Sequence, residues 1–273
     1  MLVGDAHVHV HRAFDLDRFF DAAAARANER GAPLLLLLSE CAGDQAFRAL
    51  HAQAWGASPE GPRAVRHRLH PTAEATSLAF APTGGAEPAG FLIAGRQLIS
   101  EEGIEVLALA LEPSHALAEA PDRRADAAAL VRAVLDAGAA AVLPWGLGKW
   151  LGRRGRRVAE LASDPALRAE PLFLLGDTAH RFRPWRRPAP LRPPARVLAG
   201  SDILPVAGAE RRVARYGFAL DAPLDPDRPG LSFLEALRRG CVPRSVGRRE
   251  SFAATLAEQL RFRRARRAAR ATA

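Results

Sequence analysis

Apolar positions fall in short blocks separated by longer stretches of helical period, and this alternation sets the expected architecture. Residues 2–10 read as a strand, and 15–29 as a helix with Asp15 as its N-cap and Gly31 as its stop. Residues 33–38 are apolar throughout, the mark of a strand covered on both faces. Residues 44–54 have helical spacing. The rhythm then changes: 65–69, 77–80, 91–99 and 104–111 read as strands. They are joined by turns such as Pro82-Thr83-Gly84-Gly85 and Glu101-Glu102-Gly103, so a hairpin or two interrupts the larger pattern. Alternation resumes with a helix at 123–137, ended by Gly138, and a strand at 139–143. A helix near 154–162, a strand at 171–175, an irregular Pro- and Arg-rich loop at 183–194 and a strand at 196–199 follow.

Six or seven strand–helix units without a repeat of fixed period predict a barrel of TIM-like layout over residues 1–243. An open doubly wound sheet is the rival, weakened because no G-x-G-x-x-G follows the first strand. Residues 244–273 form a basic extension with a helix at 250–271, whose Phe252, Leu256 and Leu260 make an apolar stripe before the face turns to Arg.

With 273 residues, 48% of them apolar, the chain has material for one large domain or two small ones. Its longest apolar run, 106–111, is far short of the roughly 20 residues a membrane helix needs, and no secretory leader is expected from its first residues. Cys41 and Cys241 give neither a disulfide framework nor a C-x-x-C site, so a reducing cytoplasm is the expected compartment. The net charge of +9 suggests nucleic acid until it is located. Residues 244–273 hold nine Arg against two acids, which leaves the body of the chain near neutrality. Beyond Phe262 no aromatics interleave that run, so a solvated terminus is expected and nucleic acid is not an expected partner. All the cationic side chains but Lys149 are Arg. Arg clusters therefore carry little information, whereas the single ammonium carries more.

The strongest chemical signal is Asp5-Ala6-His7-Val8-His9-Val10-His11. In a strand, Asp5, His7, His9 and His11 share one face, and two imidazoles two residues apart at a strand end can hold one metal ion. Asp202 follows a strand and sits where barrel enzymes place catalytic groups. Lys149 lies with Trp145 and Trp150 in a Gly-flanked segment after another strand, suited to an anionic substrate group. Asp177 and His180 follow a further strand, with His180 a candidate proton carrier. Arg96 is a candidate anion fork. His51, His67, His70 and His115 fit no ligand pattern, and neither a G-x-S-x-G elbow nor a phosphate-binding P-loop is present.

These segments together resemble the PHP family of metal-dependent phosphoesterases. Its Asp-x-His-x-His opening is matched by Asp5, His7 and His9. Leu37-Leu38-Ser39-Glu40-Cys41 stands at its Thr-Asp-His. Residues 93–99, with 102–109, resemble its Gly-x-Glu-Ile strand and that strand's partner. Gly200-Ser201-Asp202-Ile203-Leu204 resembles its Gly-Ser-Asp-Ala-His, with Val213 to Tyr216 beyond. The resemblance implies a distorted (β/α)7 barrel and hydrolysis of a small anionic ester by a metal-activated water. Several family ligands are replaced, by Cys41, Gln97 and Leu204, and Leu143-Pro144-Trp145 stands where Ala-His-Pro is usual. The remaining set is His7, His9 and Asp202, with Glu40 and Cys41 possible, which is enough for one divalent ion (Zn, Mn or Fe) or none. Asp202 or His180 would move the proton. Lys149, Arg96, Trp145 and Asp177 would contact the substrate. The alternatives are a catalytically degenerate binding or structural protein and an amidohydrolase acting on C–N bonds. The latter would need a third His, for which His180 is the candidate.

Overall fold

A computed structural model describes residues 1–56, 65–182 and 185–271; positions 183 and 184 of the irregular loop and the last two residues of the tail lie outside the described residues. β1 (Leu2–Val8) is buried along its length. Asp15 caps α1 (Leu16–Arg30) by accepting from the Arg18 amide, and Gly31 closes it at φ 62°. β2 (Leu34–Leu38) is fully buried, as its unbroken Leu run requires. Then come α2 (Ala46–Ala54), β3 (His67–Pro71), β4 (Ser77–Pro82), β5 (Gly90–Ile93), β6 (Gly95–Ile99) and β7 (Glu105–Leu109). Asp126 caps α3 (Ala127–Asp136), which leads to β8 (Ala140–Pro144). The chain continues through α4 (Gly152–Ser163), α5 (Pro165–Ala169), β9 (Phe173–Thr178), β10 (Val197–Gly200) and β11 (Tyr216–Leu220). It finishes with α6 (Pro229–Arg238), β12 (Arg244–Gly247) and α7 (Phe252–Ala271).

The mixed α/β character agrees with the sequence pattern, but the expected distorted (β/α)7 barrel does not form. The strands divide into a seven-stranded sheet, ordered β12-β11-β1-β2-β5-β4-β3, and a five-stranded sheet, ordered β10-β9-β8-β7-β6. The cause lies between residues 65 and 109. A parallel barrel needs a long crossover after each strand, and short turns supply hairpins instead. β3, β4 and β5 form an antiparallel meander and β6 and β7 a hairpin, to which β8 adds antiparallel after the long connection that carries α3. The expected single strand at 91–99 is two strands, β5 and β6, in different sheets, with Ala94 between them. β11, α6 and β12 were not expected. β12 pairs with β11, so the basic extension begins inside the sheet. The irregular loop contains a short 3-10 turn, Ala189–Leu191.

Hydrophobic cores flank the sheets. Phe19, Phe20, Leu36, Phe80 and Leu92 anchor one beneath α1, and Val106, Leu130, Val131 and Val158 anchor another beneath α3 and α4. The sheets meet where β10 runs against β1 and where β6 starts beside the end of β2. At the second seam a Cβ on Gly95 would stand 2.3 Å from the Leu38 carbonyl oxygen, so only glycine fits there. Among the described residues no helix is long and apolar enough to cross a membrane.

Candidate metal centre

Asp5 and His7 lie in β1, which shifts register against β2 between Asp5 and Val8, and His9 follows just beyond its end. Asp5 is fully buried, and its carboxylate accepts from the amides of His7 (3.1 Å), Ser201 (2.8 Å) and Ala214 (2.9 Å) and from the Ser201 hydroxyl (2.5 Å). Burial pushes its pKa up against these donors. Asp5 is therefore not a ligand: it clamps the segments around Ser201 and Ala214 onto the first strand.

That clamp brings a distant aspartate to the imidazoles. A Cβ on Gly200 would lie 2.5 Å from the His7 backbone nitrogen, so glycine is needed for β10 to approach β1 this closely. Two residues later Asp202 takes a left-handed conformation at φ 51°, which Asp tolerates better than most residues. Its amide donates to the His7 carbonyl at 2.9 Å. Its Oδ1 lies 3.5 Å from His7 Nε2 and 3.8 Å from His9 Nε2. One ligand atom from each of His7, His9 and Asp202 falls within 4.8 Å of the others, and all three residues are buried.

The electrostatics suit a cation. His7 is 3% exposed, and neither ring nitrogen makes a hydrogen bond among the described residues. A buried polar group left unpaired costs about 1–3 kcal/mol, and a coordinated ion relieves that cost. Burial and the neighbouring His7 hold His9 well below the usual histidine range, so its imidazole is neutral and able to ligate. Its Nδ1 faces the Cys41 sulfur at 3.9 Å, which leaves Nε2 for Asp202. Burial, with the charge of Asp44, pushes the Cys41 thiol up to about 11, so it is a neutral neighbour and not a nucleophile. Burial disfavours ionised Asp202, but His7, Lys149, His180 and His9 outweigh it and hold the carboxyl at about 2.

The remaining expected site residues divide. Lys149 stands near enough to Asp202 for each to favour the other's charge, and its Nζ donates to Glu105 Oε1 at 2.5 Å. Its half-exposed side chain is open to an incoming anion. His180 is behind the cluster: its Nε2–H donates to the Asp202 carbonyl at 2.7 Å, and its Nδ1 faces Glu258. That geometry removes it as a ligand and as a proton carrier to the mouth. Glu40 is not brought to the imidazoles, because its carboxylate accepts from the Phe47 amide at the start of α2. Arg96 is 5% exposed and donates to the carbonyls of Glu40 and Ala120, which is a structural role. Asp177 receives Arg181 through both oxygens and the Tyr216 hydroxyl at 2.8 Å, deep in the interior. Trp145 is buried and packs edge-on against Trp185. These last three were expected to meet substrate, and their polar or aromatic groups are spent on packing instead. His11 stacks on His9 and reaches the Ile203 carbonyl, outside the cluster.

Sequence reasoning missed Glu105, the partner of Lys149, and Glu258, the partner of His180. Glu105 lies within the 102–109 segment but was not singled out there, and Glu258 sits on a helix whose apolar stripe marks a different face. No family model matches the chain, and no curated protein matches it either.

Proposed function

We propose that this protein is a divalent-metal-dependent hydrolase of small anionic substrates, with chemistry like that of the PHP phosphoesterases its sequence resembles. The observation that carries the reading is the His7 imidazole, buried without a hydrogen bond on either nitrogen, beside His9 and an ionised Asp202. His7 Nε2, His9 Nε2 and Asp202 Oδ1 would hold the ion. Three protein ligands suit a transition metal with an open position for water, and their mixed N and O character favours Zn, Mn or Fe. When bound, the ion supplies Lewis acidity that polarises a substrate oxygen and acidifies an incoming water.

The chain's own groups supply the rest. Asp202, held at about 2, is a ligand across the neutral range and a poor proton acceptor. Lys149, held by Glu105, places a positive charge beside Asp202, where it draws a phosphate or carboxylate toward the imidazoles. Both cysteines are free, which suits a reducing cytoplasm.

A metal-holding protein without catalysis is the second reading, favoured by the structural commitment of Arg96, Asp177 and Trp145. An amidohydrolase lacks its third His, since His180 Nε2 is bound to a carbonyl. Elemental analysis after loading with Zn, Mn or Fe tests the proposal, with p-nitrophenyl phosphate as a generic ester. About one equivalent of metal is expected, lost in His7→Ala and His9→Ala together with turnover. Metal without turnover, across a panel of phosphate and carboxylate esters, supports the second reading. No metal uptake at all overturns both.

A further inference from the structure

The basic C-terminal extension reads as a solvated terminus, yet α7 docks through polar groups. Thr255 and Glu258 are buried at 2% and 4% exposure, whereas Phe252, Leu256 and Leu260 of the apolar stripe face outward at 58%, 47% and 45%. What the helix sends inward is a carboxylate. Glu258 Oε2 accepts from Arg212 Nη1 at 2.5 Å and lies 3.9 Å from His180 Nδ1. His180 in turn donates through Nε2 to the carbonyl of Asp202. The imidazole is 4% exposed and sits between the Glu258 carboxylate, at ion-pair distance without a hydrogen bond, and the Asp202 carbonyl, to which it is hydrogen-bonded.

The Asp202 backbone needs such support. A non-glycine residue at φ 51° persists only where its surroundings hold it. Its amide is tied to the His7 carbonyl and its carbonyl to His180, so both of its peptide groups are anchored, one by the metal-binding strand and one by the imidazole. We infer that Glu258 and His180 are positioning residues, through which the C-terminal helix sets the orientation of Asp202 toward His7 and His9. This rests on the metal-centre reading above and assigns the tail a place in that site. Outer groups that orient a ligand are typically worth about 10–100-fold in metal affinity.

The test uses the full-length protein. Co²⁺ affinity is measured by chelator competition, and the Asp202 amide resonance is followed in the metal-free protein by ¹H–¹⁵N NMR. Glu258→Ala is expected to weaken Co²⁺ binding about 10–100-fold and to shift the Asp202 amide. Glu258→Gln preserves the buried volume should the alanine variant fail to fold, and changes both readouts in the same direction by a smaller amount. Leu256→Gln, on the outward face of the same helix, leaves both unchanged. If both Glu258 variants match Leu256→Gln, the inference is overturned. If the wild type takes up no Co²⁺ while Glu258→Ala still moves the Asp202 amide, the metal reading fails and the positioning of Asp202 by α7 stands.

Discussion

Glu40 shows how one side chain's surroundings decide its role. Burial raises its carboxyl from the ordinary 4.5 to about 7, helped by the charge of Asp44 and opposed by the amide of Phe47. The fold therefore favours the protonated form. Its contribution to stability is complete below about pH 4.5 and is lost as pH rises through 7, because the unfolded chain releases this proton first. Glu40→Gln keeps an oxygen for Phe47 and removes the buried charge. The variant should match the wild type at pH 4 and melt higher at pH 8, a gain of at most about 3 kcal/mol, read from thermal midpoints in chelator. A constant gap between the two across that range would contradict the assignment. Asp177 makes the same point: a carboxylate after a strand reads equally as a site residue or a structural one, and only the arrival of Arg181 and Tyr216 settles it.

Among the elements, β10 is the one whose placement makes the site. Its last residue, Gly200, passes so close to β1 that any side chain would meet His7 backbone atoms, which cannot move aside as a flexible side chain could. Gly200→Ala should cost about 1–3 kcal/mol by overpacking and weaken metal binding at least about tenfold, because Asp202 is carried away from the imidazoles. Chemical denaturation and chelator competition check the two effects, and wild-type values in both would refute the close approach. α7 carries the opposite lesson about elements. Its stripe has the spacing of a buried face, but the helix is held by Glu258 and Arg212 while Phe252 merely abuts Phe182. Helical periodicity reports a possible face, and neighbouring charges choose which face is covered.

Across the whole molecule, Asp5 joins what would otherwise be separate pieces, since its carboxylate holds β1, the end of the five-stranded sheet and the approach to β11 together. Asp5→Ala strands three buried amides and a hydroxyl without an acceptor, at about 1–3 kcal/mol each. A loss above about 4 kcal/mol in denaturant unfolding is expected, with metal binding abolished although Asp5 touches no ligand atom. Stability within about 1 kcal/mol of wild type would show that the clamp is dispensable. Much of this was legible along the chain where it depends on near neighbours. The close spacing of Asp5, His7 and His9 gathers them at the end of β1, an unbroken Leu run buries β2, and Asp15 and Gly31 bound α1. The pairing of Asp202 with the two imidazoles was suggested by motif order and realised by Gly200 and Asp5. Other outcomes were settled by packing between distant segments: two sheets in place of a barrel, Arg96 and Asp177 tied into the interior, and Glu258 behind His180. The physical reason is range. Side-chain direction follows from the backbone geometry of a few adjacent residues, whereas strand partners and the fate of each buried charge depend on which remote groups arrive beside them.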